Sequence, residues 1–203
     1  AEGPTIQRAH DRALKNDVSL KMIFQLVSEF RKSDKETPIV LMGYLNTFIS
    51  HIDLVQSTQE DGIDSILVVD IPGELNLHDY GIDNPNINTI SLISPTTKDN
   101  RIELIAKNST GFIYYVNLRG VTGSSNLNLD EIKNNIGKIK KHSNLPVMAG
   151  FGIKTADDAK ILAESSEGIV IGSSIVEMIN EESNSKEFDR ISIYLKEMKA
   201  AIS

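Results

Sequence analysis

The chain of 203 residues has 40% hydrophobic and 24% charged side chains, which describes one ordinary domain with enough apolar material for a sizeable core. Having no Cys, it excludes disulfides, thiolate nucleophiles and Cys-ligated metal centres together, and it suits a reducing, cytoplasmic location. With 28 Asp and Glu against 21 Lys and Arg, no basic run and no apolar stretch near the roughly 20 residues of a membrane helix, nucleic acid and membranes are both poor partners.

The first residues, Ala1-Glu2-Gly3-Pro4, carry no Met and read as a loop entering a helix, with Pro4 suited to its first turn and the helix running from Thr5 to Lys15. Ser19 predicts the cap of a second helix, whose apolar residues Leu20, Ile23, Phe24, Val27 and Phe30 keep helical spacing. Pro38 to Leu45 is a short apolar run bounded by turn signals, the pattern of a buried parallel strand. A helix of about a dozen residues, with Ile52, Leu54 and Val55 on its apolar side, separates it from a second strand, Ser65 to Ile71. Further strands are predicted at Thr89 to Ile93, Gly111 to Asn117, Pro146 to Gly150 and Gly168 to Ile171. Helices are predicted between them at Asn100 to Lys107, Leu129 to Lys141 and Ala156 to Glu164. Two helices close the chain, one after Gly172 and one carrying Phe188, Ile191, Leu195 and Met198.

Six strands alternating with helices imply a parallel α/β sheet. An open doubly wound sheet accommodates six strands, whereas a TIM (β/α)8 barrel needs eight and typically about 250 residues. Length favours the open sheet. However, the first strand is not followed by the Gly-x-Gly-x-x-Gly of a dinucleotide site, and three glycine turns at strand ends favour the barrel. These are Gly120-Val-Thr-Gly123 with Ser124 and Ser125, Gly150-Phe-Gly152, and Gly172-Ser173-Ser174. A glycine lets the backbone approach a ligand closely, and the unpaired N–H groups that start the helix after Gly172 form a phosphate site without Lys or Arg. Any single turn is explained as well by a tight strand-to-helix reversal; three in succession favour phosphate.

Acid–base chemistry at a barrel mouth needs carboxylates there. Asp70, at the end of the second strand, reads equally as a reactive group or as a structural acid before Pro72. Glu2 reads as a candidate facing the same mouth or as a helix N-terminal charge. Tyr114 lies within a strand, where a core role is the default. His10, His51, His78 and His142 lack ligand spacing, so no metal site follows.

Taken together, Gly3 to Ala9, Pro38 to Asn46, Leu67 to Pro72, Gly120 to Gly123, Gly150 to Ile153 and Gly172 to Val176 resemble the tryptophan synthase alpha chain family in order and spacing. The resemblance implies a TIM barrel that cleaves indole-3-glycerol phosphate to indole and glyceraldehyde 3-phosphate, a lyase of tryptophan biosynthesis with no cofactor of its own. It also implies an alpha2beta2 assembly with a beta chain that carries pyridoxal phosphate and receives the indole through a tunnel. By this likeness Gly123, Gly152, Gly172 and Ser173 hold the phosphate, Met42, Tyr114 and Phe151 line the indole pocket, and Thr122 belongs to a loop that orders the closed site.

Two carboxylates serve the family's proton transfers. The first is an Asp before Gly-Pro, replaced here by Glu2; the extra methylene matters, because a shift of about 1 Å can cost roughly 10²-fold in rate. The second is a Glu on a barrel strand preceding the resemblance, so residues 1–203 form a single barrel domain expected to be incomplete at its N-terminus, with little turnover on its own. Two other readings remain. One is a non-catalytic homologue that keeps the phosphate cradle and the beta-facing loops near Asn46 and Pro72. The other is a phosphate-binding barrel isomerase of histidine or tryptophan synthesis, which should lack the Met42 to Asn46 and Gly120 to Gly123 segments.

Overall fold

The computed structural model describes residues 3–56, 62–116, 129–182 and 188–203, with the side chain of Leu54 excepted. Glu2, Thr122 and Gly123 therefore lie outside the described residues.

The elements follow in the order α1 (Pro4–Lys15), α2 (Leu20–Arg31), β1 (Val40–Gly43), α3 (Leu45–Ser50), α4 (Ile52–Gln56), β2 (Ser65–Val68), a 3₁₀ turn (Leu77–Tyr80) and β3 (Asn88–Ile93). After these come α5 (Asp99–Asn108), β4 (Ile113–Val116), α6 (Leu129–His142), β5 (Val147–Gly150), α7 (Ala156–Ala163), β6 (Gly168–Ile169), α8 (Ser173–Glu182) and α9 (Asp189–Ile202). Ser19 caps α2 as its sequence predicts, accepting the Met22 N–H at 3.4 Å. The cap of α7 is stronger: the Thr155 hydroxyl accepts the Asp158 N–H while the Asp158 carboxylate accepts the Thr155 N–H.

All six strands are parallel and lie in one sheet in sequence order, β1-β2-β3-β4-β5-β6. A doubly wound sheet reverses its order at a switch point; a barrel adds each strand to the preceding one. The observed order is that of the TIM barrel, with six of its strands present among the described residues.

Alternation along each strand separates two faces. Leu41, Ile66, Val68, Ile93, Ile113, Tyr115, Val147 and Ala149 enter apolar clusters shared with the helices, one over β1 and β2 and one over the later strands. Met42, Tyr114 and Met148 point to the opposite, concave face, where Met42 is 55% exposed. Burial of each outward Ile or Val stabilises by about 1.5–3 kcal/mol, and this face holds the helices to the sheet.

Several boundaries differ from the sequence reading. The first strand stops at Gly43, and the single helix expected before β2 is two short ones, because His51 leaves helical geometry with φ −132° and ψ 39°. On α9 the buried face is Ile191, Tyr194 and Met198; Leu195 and Phe188, expected there, are exposed. The buried face keeps Ile191 and Met198 of the expected set and takes Tyr194 in place of its neighbour Leu195.

At the N-terminal ends of β1 and β2, Arg31 gathers the chain. Its guanidinium donates to the carbonyls of Gly62 and Thr37, each at 2.8 Å, and to the Asp64 carboxylate at 2.8 Å, which in turn accepts the Ile39 N–H at 2.7 Å. Gly62 has φ 86°, and a Cβ there would lie 2.7 Å from the Arg31 side chain, so both its backbone geometry and the available space demand glycine. Between β5 and β6, Glu167 accepts the Val147 N–H at 2.8 Å and pairs with Lys140. Burial pushes the Glu167 carboxyl up, but Lys140 and the Val147 N–H outweigh it and hold it below its ordinary 4.5. A depressed carboxylate contributes stability that is present above its unfolded pKa and lost as pH falls through the folded one. Glu167→Gln should therefore flatten the loss of urea resistance on acidification below about pH 4.5; an unchanged acid limb would count against this role.

Candidate functional site

The C-terminal ends of β5 and β6 carry two of the three turns that the sequence singles out, where parallel barrels place chemistry; the turn from Gly120 to Ser125 lies outside the described residues. After β5 the chain runs Gly150, Phe151, Gly152 and Ile153, with Gly152 at φ 64°, a left-handed conformation that a side chain would strain. After β6 it passes Gly172 into α8, whose Val176 N–H already returns to the Gly172 carbonyl at 3.1 Å. Gly152, Gly172 and Ser173 are all exposed, and a Cβ at Gly172 would meet nothing within 4 Å. The first N–H groups of α8 thus open onto free space, with the positive end of the helix dipole behind them.

The two turns lie side by side. Val170 N–H donates to the Ala149 carbonyl at 2.8 Å, and the Ser174 hydroxyl donates to the Ile153 carbonyl at 2.9 Å. This brings Gly152, Gly172 and Ser173 to one place, as expected from their positions after adjacent strands.

The apolar candidates divide. Met42 and Tyr114 share the concave face, separated by β2 and β3, with Leu67 level with Met42 and Leu92 level with Tyr114. Tyr114 leans along its strand towards Gly150, where a Cβ would come within 2.5 Å of its ring and hydroxyl. Burial pushes the Tyr114 phenol up, so it stays neutral. The Phe151 ring packs instead on Tyr115 at 5.2 Å between centroids, on the helix-covered side, where Asn135 of α6 donates to the Tyr115 hydroxyl at 3.0 Å.

Asp70 has a structural job. Its carboxylate accepts the N–H of Leu45, the first residue of α3, at 2.7 Å, and so ties the end of β2 to the helix that follows β1. Asp70→Ala should cost about 0.5–2 kcal/mol in denaturant unfolding, with Asp70→Asn retaining most of the stability; equal losses for the two would show that the oxygen acceptor is not what matters. Sequence reading missed the Ser174 bridge and the Thr155/Asp158 capping box. The box carries a readable Thr-x-x-Asp signal; the bridge depends on a partner 21 residues away. His51, His78 and the other two histidines are exposed, and among the described residues no group of three or more His, Asp or Glu could hold a metal ion. Among those residues, too, no helix is long and apolar enough to cross a membrane.

The family model described as "Tryptophan synthase alpha chain" matches residues 1–203. The tryptophan synthase alpha chain of Nitrosomonas europaea is 44% identical over 183 residues, covering 88% of this chain and 66% of that protein. That of Cupriavidus pinatubonensis is 39% identical over 210 residues, covering 100% and 77%. Among solved structures, the alpha subunit of Legionella pneumophila superposes with a TM-score of 0.84 at 36% identity, covering 99% of this chain and 76% of that one. A chain from the tryptophan synthase a2b2 complex of Pyrococcus furiosus gives 0.87 at 32% identity, covering 98% and 82%. The chain thus spans from two thirds to about four fifths of the length of these relatives.

Proposed function

Because this chain belongs to the tryptophan synthase alpha chain family, a family of lyases, we propose that it serves the cleavage of indole-3-glycerol phosphate to indole and glyceraldehyde 3-phosphate. The match over all 203 residues carries this reading. The open glycine turns after β5 and β6 support it, since they offer backbone N–H groups to an anion without a cationic side chain. In this reading the phosphate sits on Gly123, Gly152, Gly172 and Ser173. Met42 and Tyr114 give the indole an apolar wall on the concave face and Thr122 completes the pocket, while Phe151, expected in that wall, packs on Tyr115 on the helix-covered side and backs the Gly152 turn from behind.

The reaction is a retro-aldol cleavage. A proton is delivered to indole C3 and the ring nitrogen gives one up to form the indolenine; the glycerol hydroxyl then loses one as the carbon–carbon bond breaks, and the nitrogen regains its proton as indole forms. Glu2 takes the position of one of the two carboxylates that move these protons. The chain needs no cofactor of its own for this chemistry; pyridoxal phosphate belongs to a beta chain partner that consumes the indole, and the complex works in the cytoplasm. The Pyrococcus relative solved as an a2b2 complex supports the partnership. Indole release from indole-3-glycerol phosphate, measured with a tryptophan synthase beta chain present, tests the proposal. Binding of the beta chain without any indole formation would favour the non-catalytic homologue instead.

A further inference from the structure

The two turns offered to the phosphate belong to different strand–helix units, so their spacing has to be set by something that crosses between them. Sheet pairing brings β5 and β6 together as far as the bond from Val170 N–H to the Ala149 carbonyl. Beyond it the chains diverge, one into Gly150 to Ile153 and the other into Gly172 and α8. Ser174 carries the connection onward: its hydroxyl donates to the Ile153 carbonyl at 2.9 Å.

The geometry makes this bond well placed to hold the cradle. Its acceptor follows Gly152 directly, and its donor follows Ser173 directly. Ile153 is 2% exposed and packs in the apolar cluster with Phe151, Ala159 and Leu162, so its carbonyl is a fixed point. Gly152, by contrast, is exposed with φ 64°, and glycine resists such a conformation least when it is displaced.

We propose that Ser174 is a positioning residue whose hydroxyl fixes the distance between the Gly152 turn and the N-terminus of α8, so that N–H groups from both reach one phosphate. This rests on the phosphate reading of the turns given above. Ser174 does not touch the substrate; it acts through the backbone on either side. Losing one neutral hydrogen bond of this kind corresponds to roughly a three- to tenfold change in affinity if its full worth is expressed in phosphate binding.

The test uses the full chain with glycerol 3-phosphate as the probe in calorimetric titration, alongside steady-state indole formation with a beta chain. Ser174→Ala is expected to weaken glycerol 3-phosphate and raise KM for indole-3-glycerol phosphate by roughly three- to tenfold, with kcat within about twofold. Ser174→Thr, which keeps the hydroxyl, restores both. A purely structural role would instead lower the melting temperature and the active fraction together, reducing apparent kcat at constant KM, and would overturn the proposal. Wild-type protein that binds no glycerol 3-phosphate removes the phosphate reading and this inference with it. Wild-type binding matched by Ser174→Ala overturns only the role of Ser174.

Discussion

Gly150→Ala is expected to lower stability by about 1–3 kcal/mol and to displace Tyr114 from the concave face. The new Cβ would sit 2.5 Å from the Tyr114 ring and hydroxyl, well inside any permitted contact. The tyrosine ring is rigid, and of its two rotatable bonds only Cα–Cβ displaces the hydroxyl, so relief means moving the whole side chain. Two opposing effects decide the sign. Gly150 is not among the glycines with positive φ, so an alanine backbone is acceptable there, and by itself the change should stabilise by about 0.4–1 kcal/mol through the unfolded chain. The clash with Tyr114 is larger. In a Tyr114→Ala background the clash is gone and the same substitution should become neutral or stabilising. A double-mutant cycle in urea reads the difference directly, and a coupling near zero would show that the ring moves aside without cost. Indole formation should fall in Gly150→Ala by more than the unfolded fraction accounts for, because the wall proposed for the indole has moved.

Glu2→Gln should reduce indole formation by roughly 10²–10⁴-fold, the usual worth of a placed acid–base group, if Glu2 moves a proton as proposed. Glu2→Asp tests the same position in the other direction. The family's aspartate is one methylene shorter, and a misplacement of about 1 Å can cost roughly 10²-fold, so the shorter carboxylate should raise kcat. Measured with a beta chain and saturating substrate, the pair of variants separates two ideas. Loss in Glu2→Gln with gain in Glu2→Asp fits a reactive carboxylate held slightly out of place. Equal modest losses in both would reduce Glu2 to a charge at the start of α1.

Much of the fold was legible because each strand announces itself as a short apolar run between turn signals. Ser65 to Val68, buried at every position, is the clearest case. Length alone misled about the choice between an open sheet and a barrel, whereas the glycine turns and the family resemblance pointed to the barrel. The length of the chain pointed to the open sheet, and the unbroken pairing order from β1 to β6 bears out the barrel. Asp70 shows the same limit at the scale of one side chain. Its position at a strand end suits a reactive carboxylate, and its bond to the Leu45 N–H depends on a partner 25 residues away that no local pattern reveals. Phe151 shows it again: in sequence it stands between two site glycines, yet its ring turns to Tyr115 on the outer side. The glycine turns could be read because their chemistry is backbone chemistry, and backbone freedom is written into the residue type.

Sequential strand order also shapes how the molecule opens. Every sheet pairing closes a segment of about 20 to 35 residues, and the entropy of closing such segments rises only with the logarithm of their length. The contact between α1 and α8 is of another kind, joining the two ends of the chain through helices alone, with Arg8 and Glu177 4.0 Å apart and both more than half exposed. An ion pair so exposed contributes little, and α1 buries none of its residues. The molecule is thus a ladder with a weak latch. Native-state hydrogen exchange should find the α1 amides opening by themselves, at a lower free energy than those of β4 and β5, so that the first helix unlatches while the sheet remains intact.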